Sequence, residues 1–270
     1  MADVVRLEYR NVTMRFAQRG GQGVLTAIRG VSFRVGDGEV VSLIGPSGCG
    51  KSTLLNIGAG LTTPGEGAAF VDGERVEGPN AHVAFMLQKD LLLPWRTVAE
   101  NVMFGVEIQR VAPAERRARA ERLLANFNLS EFAGHYPHQL SGGMRQRVAL
   151  ARTLAVDPHV LLLDEPFSAV DAQTRMLLQR DLAQTLKRAG KTALLITHDL
   201  LEAVTLSDRV LVMSARPGSI IDEIAIDLPQ RDDPIARRSA PKVSDYVARL
   251  MERLDISHAS LESQSVDGRA

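Results

Sequence analysis

Short apolar runs punctuate the chain at residues 40–44, 83–87, 160–163, 193–196 and 210–213. Each is apolar on both faces and rich in Val, Leu and Ile, the pattern of strands buried in a mostly parallel sheet with helices between them. Residues 172–189 carry Leu178, Leu182 and Leu186 at four-residue spacing, and Gly190 follows as a stop, which predicts an amphipathic helix packed on that sheet. Residues 6–16, 31–35 and 67–71 alternate more and are bounded by Gly-rich turns, so an antiparallel strand group is expected near the N-terminus, with 19–23 as a hairpin loop. From about residue 91 to 155 the strand signal disappears, and 98–109, 113–127 and 142–155 favour helix. The pattern predicts an α/β core, 1–230, carrying a helical subdomain at about 91–155. Beyond Pro229 the chain turns charged and loop-like. Residues 231–270 are expected to be a C-terminal extension, partly frayed from 257.

Composition narrows the class. The 270 residues are 45% apolar and 24% charged, proportions of a globular protein and not of a collagen or a disulfide scaffold. Lys plus Arg and Asp plus Glu balance at 32 each, so no bulk positive field draws in nucleic acid, although a local patch stays open. The single cysteine, Cys49, cannot form an internal disulfide. The first ten residues carry Asp3, Arg6 and Glu8 and do not read as a signal peptide. The longest uncharged run, 52–65, is broken by Gly and Pro and falls short of the roughly 20 apolar residues of a spanning helix. A cytosolic protein, or one bound to a membrane from the cytosolic side, is expected.

Gly45, Pro46, Ser47, Gly48, Cys49, Gly50, Lys51 and Ser52 fit G-x-x-x-x-G-K-[ST] between an expected strand and an expected helix, with Thr53 next. Glycines let successive backbone N–H groups turn towards phosphate, the helix N-terminus adds a favourable dipole, and Lys51 supplies a cation. Ser52 places a hydroxyl where Mg²⁺ binds. The reading is a nucleoside triphosphate site. Cys49 is either an activated thiol at a helix start or a small residue filling a variable position. The strand at 160–163 ends in Asp164 and Glu165, at the carboxyl end where ligands gather in parallel sheets. There Asp164 can hold Mg²⁺ through water and Glu165 can polarise an attacking water. Leu140, Ser141, Gly142, Gly143 and Met144 open the helix that contains Arg145, Gln146 and Arg147. Ser141 is an N-cap, or with the glycine amides a second phosphate-binding helix start. A second such start serves no purpose on one triphosphate in one chain, but two chains head-to-tail could each clamp the ATP bound to the other.

In this order of motifs the chain resembles the ATP-binding subunit of an ATP-binding-cassette transporter, a P-loop NTPase, over about 4–229. The order runs through Gln88, the signature at 140–144, Asp164 and Glu165, then Ser168, Ala169, Val170 and Asp171, and finally His198. The resemblance implies that Phe16 stacks on adenine, Gln88 contacts Mg²⁺ and reports on the membrane partner, and Asp171 sits at a dimer seam. It makes Glu165 the general base, and has His198 contact the γ-phosphate in its own chain. Ser141, Gly142, Gly143, Met144 and Asp171 would then meet ATP in trans. Taken singly, Asp171 could cap the helix at Ala172, His198 could be structural and Phe16 could be core. Met144 departs from the Gln usual in the family, so altered affinity or coupling is expected there.

Leu92, Leu93, Pro94 and Trp95 after Gln88 resemble importers of the nitrate, sulfonate and taurine type, as do Asp227, Leu228 and Pro229 followed by Arg231 and Asp232. Trp95 would anchor a membrane subunit, or else pack inside the helical subdomain. The run 115–122, mixing Arg with Glu115 and Glu121, reads as a solvated helix face. The resemblance implies a homodimer working with ATP and Mg²⁺ on two permease subunits at the cytoplasmic face of the cell membrane, served by an extracytoplasmic solute-binding protein and touching no nucleic acid. A soluble cassette scaffold, or a lipid or export subunit, stands as the alternative.

Overall fold

The computed structural model describes residues 4–17, 23–168 and 170–266, the stretch beyond 254 by its backbone alone. The expected hairpin loop lies mostly outside the described residues, as do Ala169 and the last four residues. Strands β1 (Val5–Ala17) and β2 (Val24–Gly36) form a long antiparallel hairpin, and β3 (Val40–Ile44) leads into α1 (Lys51–Gly58). Next come β4 (Glu66–Val71), β5 (Glu74–Arg75) and β6 (Val83–Met86), then helices α2 (Val98–Ile108), α3 (Pro113–Asn126) and α4 (Gly142–Ala155). Alternation returns with β7 (Val160–Asp164), α5 (Ala172–Ala189), β8 (Thr192–Ile196), α6 (Leu200–Leu206), β9 (Arg209–Met213) and β10 (Ile220–Ala225). Two helices close the chain, α7 (Pro234–Arg238) and α8 (Val243–Val266).

Two sheets result. A six-stranded sheet has the order β10-β9-β3-β8-β7-β6, parallel except for β10, and a four-stranded antiparallel sheet has the order β2-β1-β4-β5. Strands β3 and β8 are buried at every position, which accounts for their apolar character on both faces. Val41 and Leu43 face the antiparallel sheet and α1 in a core with Leu7, Tyr9, Val12 and Leu55, whereas Val40 joins the core shared with α4 and α5. Ile44 packs with α6 and α8.

The helical segment at 91–155 is set by local signals. Thr97 and Glu100 form a reciprocal capping box at the start of α2, satisfying two amides that would otherwise be orphaned. Asp171 caps α5 through the Thr174 N–H at 3.0 Å, and Gly190, with φ +58°, ends it.

The expectation of loop beyond Pro229 is corrected. Its charged residues find specific partners: Asp233 caps α7, and the buried Arg237 donates to the Thr205, Ser207 and Leu228 carbonyls. Val243 and Leu250 supply an apolar face against α6 and β9. Charge therefore reads here as capping and clasping, not as solvated coil, and the helix runs on through 257–266. The expectation also passed over α6, seven residues and too short to show a clear period, and β10, whose Asp222 and Glu223 interrupt its apolar run.

Gly58 lies where α1 meets the antiparallel sheet. A Cβ there would stand 2.2 Å from Tyr9 Oη, and that buried hydroxyl donates to the Leu54 carbonyl at 2.8 Å. Gly58→Ala is expected to cost about 1–3 kcal/mol by overpacking, and Tyr9→Phe about 1 kcal/mol through the lost hydrogen bond. Urea denaturation of the double variant should show a loss smaller than the two combined, because removing the hydroxyl makes room for the methyl. Strict additivity would overturn the contact.

Candidate active site

The carboxyl ends of β3 and β7 meet in one cavity of about 320 Å³, lined by Phe16, Leu25, Ser47, Lys51, Ser52 and Glu165 among others. Gly48, Gly50 and Thr53 also line it. Gly50 adopts φ +106°, and a Cβ on it would come 2.7 Å from Ile28 Cγ1, so the turn into α1 accepts no side chain. Lys51 is nearly buried, and its ammonium donates to the Gly45 carbonyl at 2.8 Å and the Pro46 carbonyl at 2.9 Å. The loop thus turns its cation inward over its own carbonyls. The Cys49 thiol is buried beside Gly45, out of reach of solvent, which favours the space-filling reading over a reactive thiol.

Glu165 follows β7 with φ +45°, an uncommon conformation for a side-chain-bearing residue. Its N–H donates to the Ile196 carbonyl at 3.0 Å and its carbonyl accepts from the Ser168 hydroxyl at 3.1 Å. The carboxylate is bracketed: Gln88 Nε2 donates to Oε2 at 3.2 Å, and His198 Nδ1 stands 3.2 Å from the same oxygen. The structure therefore brings Gln88, Glu165 and His198 together, as a group, beside the phosphate loop. Burial pushes the Asp164 carboxyl above its usual range, opposed by a hydrogen bond from Ser52.

Phe16 is exposed at the cavity rim, so its core reading fails. The signature residues lie elsewhere. Ser141 is an exposed N-cap whose hydroxyl accepts from the Met144 N–H at 3.3 Å, and Met144 packs its side chain on the helical core. A Cβ on Gly143 would stand 2.3 Å from Thr174 Cγ2, so the starts of α4 and α5 touch, bringing Ser141, Gly142, Gly143 and Asp171 to one region. None of these lines the cavity.

Arg216 was not legible in the sequence. It lines the cavity and donates from Nη2 to the Gly48 carbonyl at 2.8 Å, from a loop that only the order β9–β3 brings near. Buried Gln146, which donates to the Pro166 carbonyl, also went unnoticed as a link from α4 to the Glu165 turn. Trp95 is 72% exposed, which rules out its packing inside the helical segment. Buried Asn101 holds the turn beneath it, donating to the Leu93, Arg96 and Thr97 carbonyls and accepting from the Leu93 N–H. In the run 115–122, Arg119 pairs with Glu115 one turn away, as on a solvated face.

Comparison with known proteins gives the site its context. The sequence pattern of the family described as ABC transporter matches residues 28–168. The chain is 45% identical to an uncharacterized ABC transporter ATP-binding protein of Methanocaldococcus jannaschii, over 85% of either chain. It is 43% identical to the taurine import ATP-binding protein TauB of Burkholderia pseudomallei, covering 93% of this chain and 97% of that one. Among solved structures it is similar to the ATP-binding cassette MJ0796 in a dimeric post-hydrolysis state bound to ADP and Pi. That match has a TM-score of 0.72 and 33% identity, covering 82% of this chain and 98% of that one.

Behind His198 lies Glu202, buried in the first turn of α6, where it accepts from Gln179 Nε2 at 2.9 Å. Burial pushes its carboxyl up to about 7, with Asp199 adding to the rise and hydrogen bonds from Thr197 and Gln179 opposing it. Between about pH 4.5 and 7 the unfolded chain releases this proton while the folded chain keeps it, so stability falls as pH rises through that window and levels above it. Glu202→Gln should remove this component. Denaturation across the pH range is expected to show the variant gaining on the native chain, by on the order of 3 kcal/mol at pH 8. Parallel stability curves would refute the buried carboxyl.

Proposed function

Since the chain belongs to the ABC transporter family and is an ABC-type ATPase, we propose that it powers import of a small solute of the taurine, sulfonate or nitrate kind. The observation that carries the catalytic reading is Glu165, set in the same cavity as Lys51 and Ser52 and held between Gln88 and His198. Support for import comes from similarity to a taurine import protein along nearly its whole length and from the exposed Trp95 on its braced turn.

Phe16 at the rim offers a face for adenine, with Leu25 behind it. The backbone N–H groups of Gly45, Ser47, Gly48, Cys49, Gly50, Ser52 and Thr53 offer the phosphate cradle, with Pro46 shaping the turn without an N–H of its own, and Lys51 exchanges the loop carbonyls for phosphate oxygens. Ser52, Asp164 and Gln88 offer hard oxygen donors that suit Mg²⁺, and a half-buried carboxylate whose close partner is a hydroxyl is a fitting place for a cation. There Mg²⁺ would neutralise charge on the phosphates. Glu165 takes a proton from water as the water oxygen attacks the γ-phosphorus, and the bond to the β-phosphate oxygen breaks, leaving ADP and phosphate. Lys51 and the loop amides take up the charge that develops, and His198 steadies the γ-phosphate.

The α4 start supports a head-to-tail homodimer. Ser141, Gly142, Gly143 and Met144, with Asp171 nearby, lie outside the chain's own cavity, so a second copy is needed to bring this anion-binding helix start to a bound triphosphate. The dimeric state of the similar cassette is consistent with that arrangement. Among the described residues no helix is long and apolar enough to cross a membrane. The subunit therefore acts through two permease subunits, peripherally at the cytoplasmic face, with an extracytoplasmic solute-binding protein delivering the solute. In this reading 1–230 is the cassette, with its helical subdomain at about 91–155, and 231–270 is an extension fastened to it.

Glu165→Gln protein should bind ATP with near-native affinity while hydrolysing it at least about a hundredfold more slowly. Near-normal turnover would remove Glu165 from the role of base. The same variant, tagged and recovered from detergent-solubilised membranes with Mg-ATP, should bring down a polytopic permease, and adding Trp95→Ala should deplete it. Recovery of soluble partners alone would replace transport with a scaffold role.

A further inference from the structure

On the side of the molecule away from the phosphate loop, three separate segments bring Asp72, His82 and His159 together. Asp72 lies in the turn from β4 to β5, and the two histidines immediately precede β6 and β7, at the strand ends opposite Gly45 and Asp164. Asp72 Oδ2 stands 2.7 Å from His82 Nδ1 and 2.6 Å from His159 Nδ1. The two imidazoles meet edge-on with ring centroids 4.5 Å apart. Among the described residues this is the one group of three such side chains whose donor atoms all fall within 4.8 Å of one another. Charge favours a cation there. Asp72 Oδ1 accepts from Arg6 Nη1 at 2.8 Å while Arg6 Nε donates to Asp37 at 2.6 Å, so one guanidinium is shared by two carboxylates. With both imidazoles neutral, the group carries net negative charge.

We propose that Asp72 Oδ2, His82 Nδ1 and His159 Nδ1 form a binding site for a divalent transition metal of the Zn²⁺ class. Two imidazole nitrogens and one carboxylate oxygen make a borderline donor set suited to Zn²⁺, Co²⁺ or Ni²⁺ and poorly suited to Mg²⁺ or Ca²⁺. A single carboxylate oxygen facing two Nδ1 atoms needs both rings in the same tautomer. A metal takes the place of those protons, with each imidazole keeping its proton on Nε2. Bonds of roughly 2.0–2.1 Å to a tetrahedral ion require each carboxylate–imidazole pair to open by about 0.7 Å. Side-chain rotation supplies that, since the rings are 52% and 43% exposed and reachable from solvent. Arg6 on the second carboxylate oxygen fixes the orientation of Asp72, as outer-shell partners do in metal sites. The bound ion would clamp the β4–β5 turn of the antiparallel sheet to the starts of two strands of the parallel sheet. The site is separate from the ATP cavity and owes nothing to the transport reading.

The test is calorimetric titration of the full, untagged chain with Zn²⁺, without nucleotide or Mg²⁺, alongside thermal unfolding. One Zn²⁺ per chain should bind saturably, and His82→Gln or His159→Gln should each weaken it at least about tenfold. In excess Zn²⁺ the melting temperature should rise by a few degrees, roughly the effect of mass action on a chain this size. The double variant should lose that rise while its ATPase rate and metal-free melting temperature stay near native, which separates a lost ligand from a lost fold. Co²⁺ should give visible absorption bands that the double variant lacks. Absence of saturable Zn²⁺ binding, or a titration that the double variant leaves unchanged, would reduce the group to a hydrogen-bonded clasp and overturn the proposal.

Discussion

Everything at the site hangs on β3 being, like its neighbour β8, a strand that no face of the molecule exposes. It runs between β8 and β9, and each of its residues is buried. A strand covered on both faces needs a layer on each, and the two layers here differ in kind: the antiparallel sheet with α1 on one face, helices on the other. Ser42, the one polar residue of β3, is fully buried and pairs its hydroxyl with that of Ser207 at the end of α6. A loop that must hold its amides towards phosphate without a regular backbone ladder can do so because the strand feeding it is fixed along its whole length. The same constraint explains why Gly50 has no room for a side chain: Ile28 of β2 is pressed against it.

The helical segment reaches the site through α4. From its first turns Arg145 Nε pairs with Asp90 at 3.0 Å, and further along Arg152 donates to the Asp90 and Leu91 carbonyls, so the chain just after Gln88 is tied to this helix. Gln146, between them, bonds the segment just after Glu165. One rigid helix thus carries the Ser141 cap at its start and holds both the Gln88 and the Glu165 turns along its side. The segments after Gln88 and after Glu165 are thus fastened to the same helix and to one another through it. Coupling of this kind needs no pathway of small shifts, because the contacts are direct hydrogen bonds from one element.

Elements with a strong period were legible in the sequence: α4 and α5 begin and end where residues 142–155 and 172–189 predict, and the apolar runs became β3, β6, β7, β8 and β9. Local chemistry read equally well where it was used, since Ser141 and Asp171 cap helices as their residue types suggest. Long-range pairings were not legible. Nothing in the neighbourhood of Arg216 announces that it will cross to Gly48, and Arg237 looks like a surface residue until the carbonyls at the end of α6 surround it. Those partners are set by strand order, which the sequence near each residue does not encode. The phosphate loop and Glu165 were legible at the ends of periodic strands, and the resemblance to a known family brought Gln88 and His198 within view, whereas Asp72, His82 and His159 sit outside any motif.

The C-terminal segment is joined to the cassette at a sensitive place. Arg238 Nη2 donates to Gln179 Oε1 at 2.8 Å, and the amide of the same Gln179 donates to Glu202. Glu202 in turn takes a hydrogen bond from Thr197, the neighbour of His198. An Arg on α7 thereby fixes the orientation of a buried carboxamide, and that carboxamide decides which atom faces Glu202. Were Arg238 withdrawn, Gln179 could turn its oxygen towards Glu202, and two acceptors would meet unless the carboxyl kept its proton. A segment whose charged composition suggests solvated coil therefore bears on the protonation of a group packed close to His198. Its place against α6, with Val243 and Leu250 in the same core as Ile44, makes that connection a consequence of packing and not of a flexible tail.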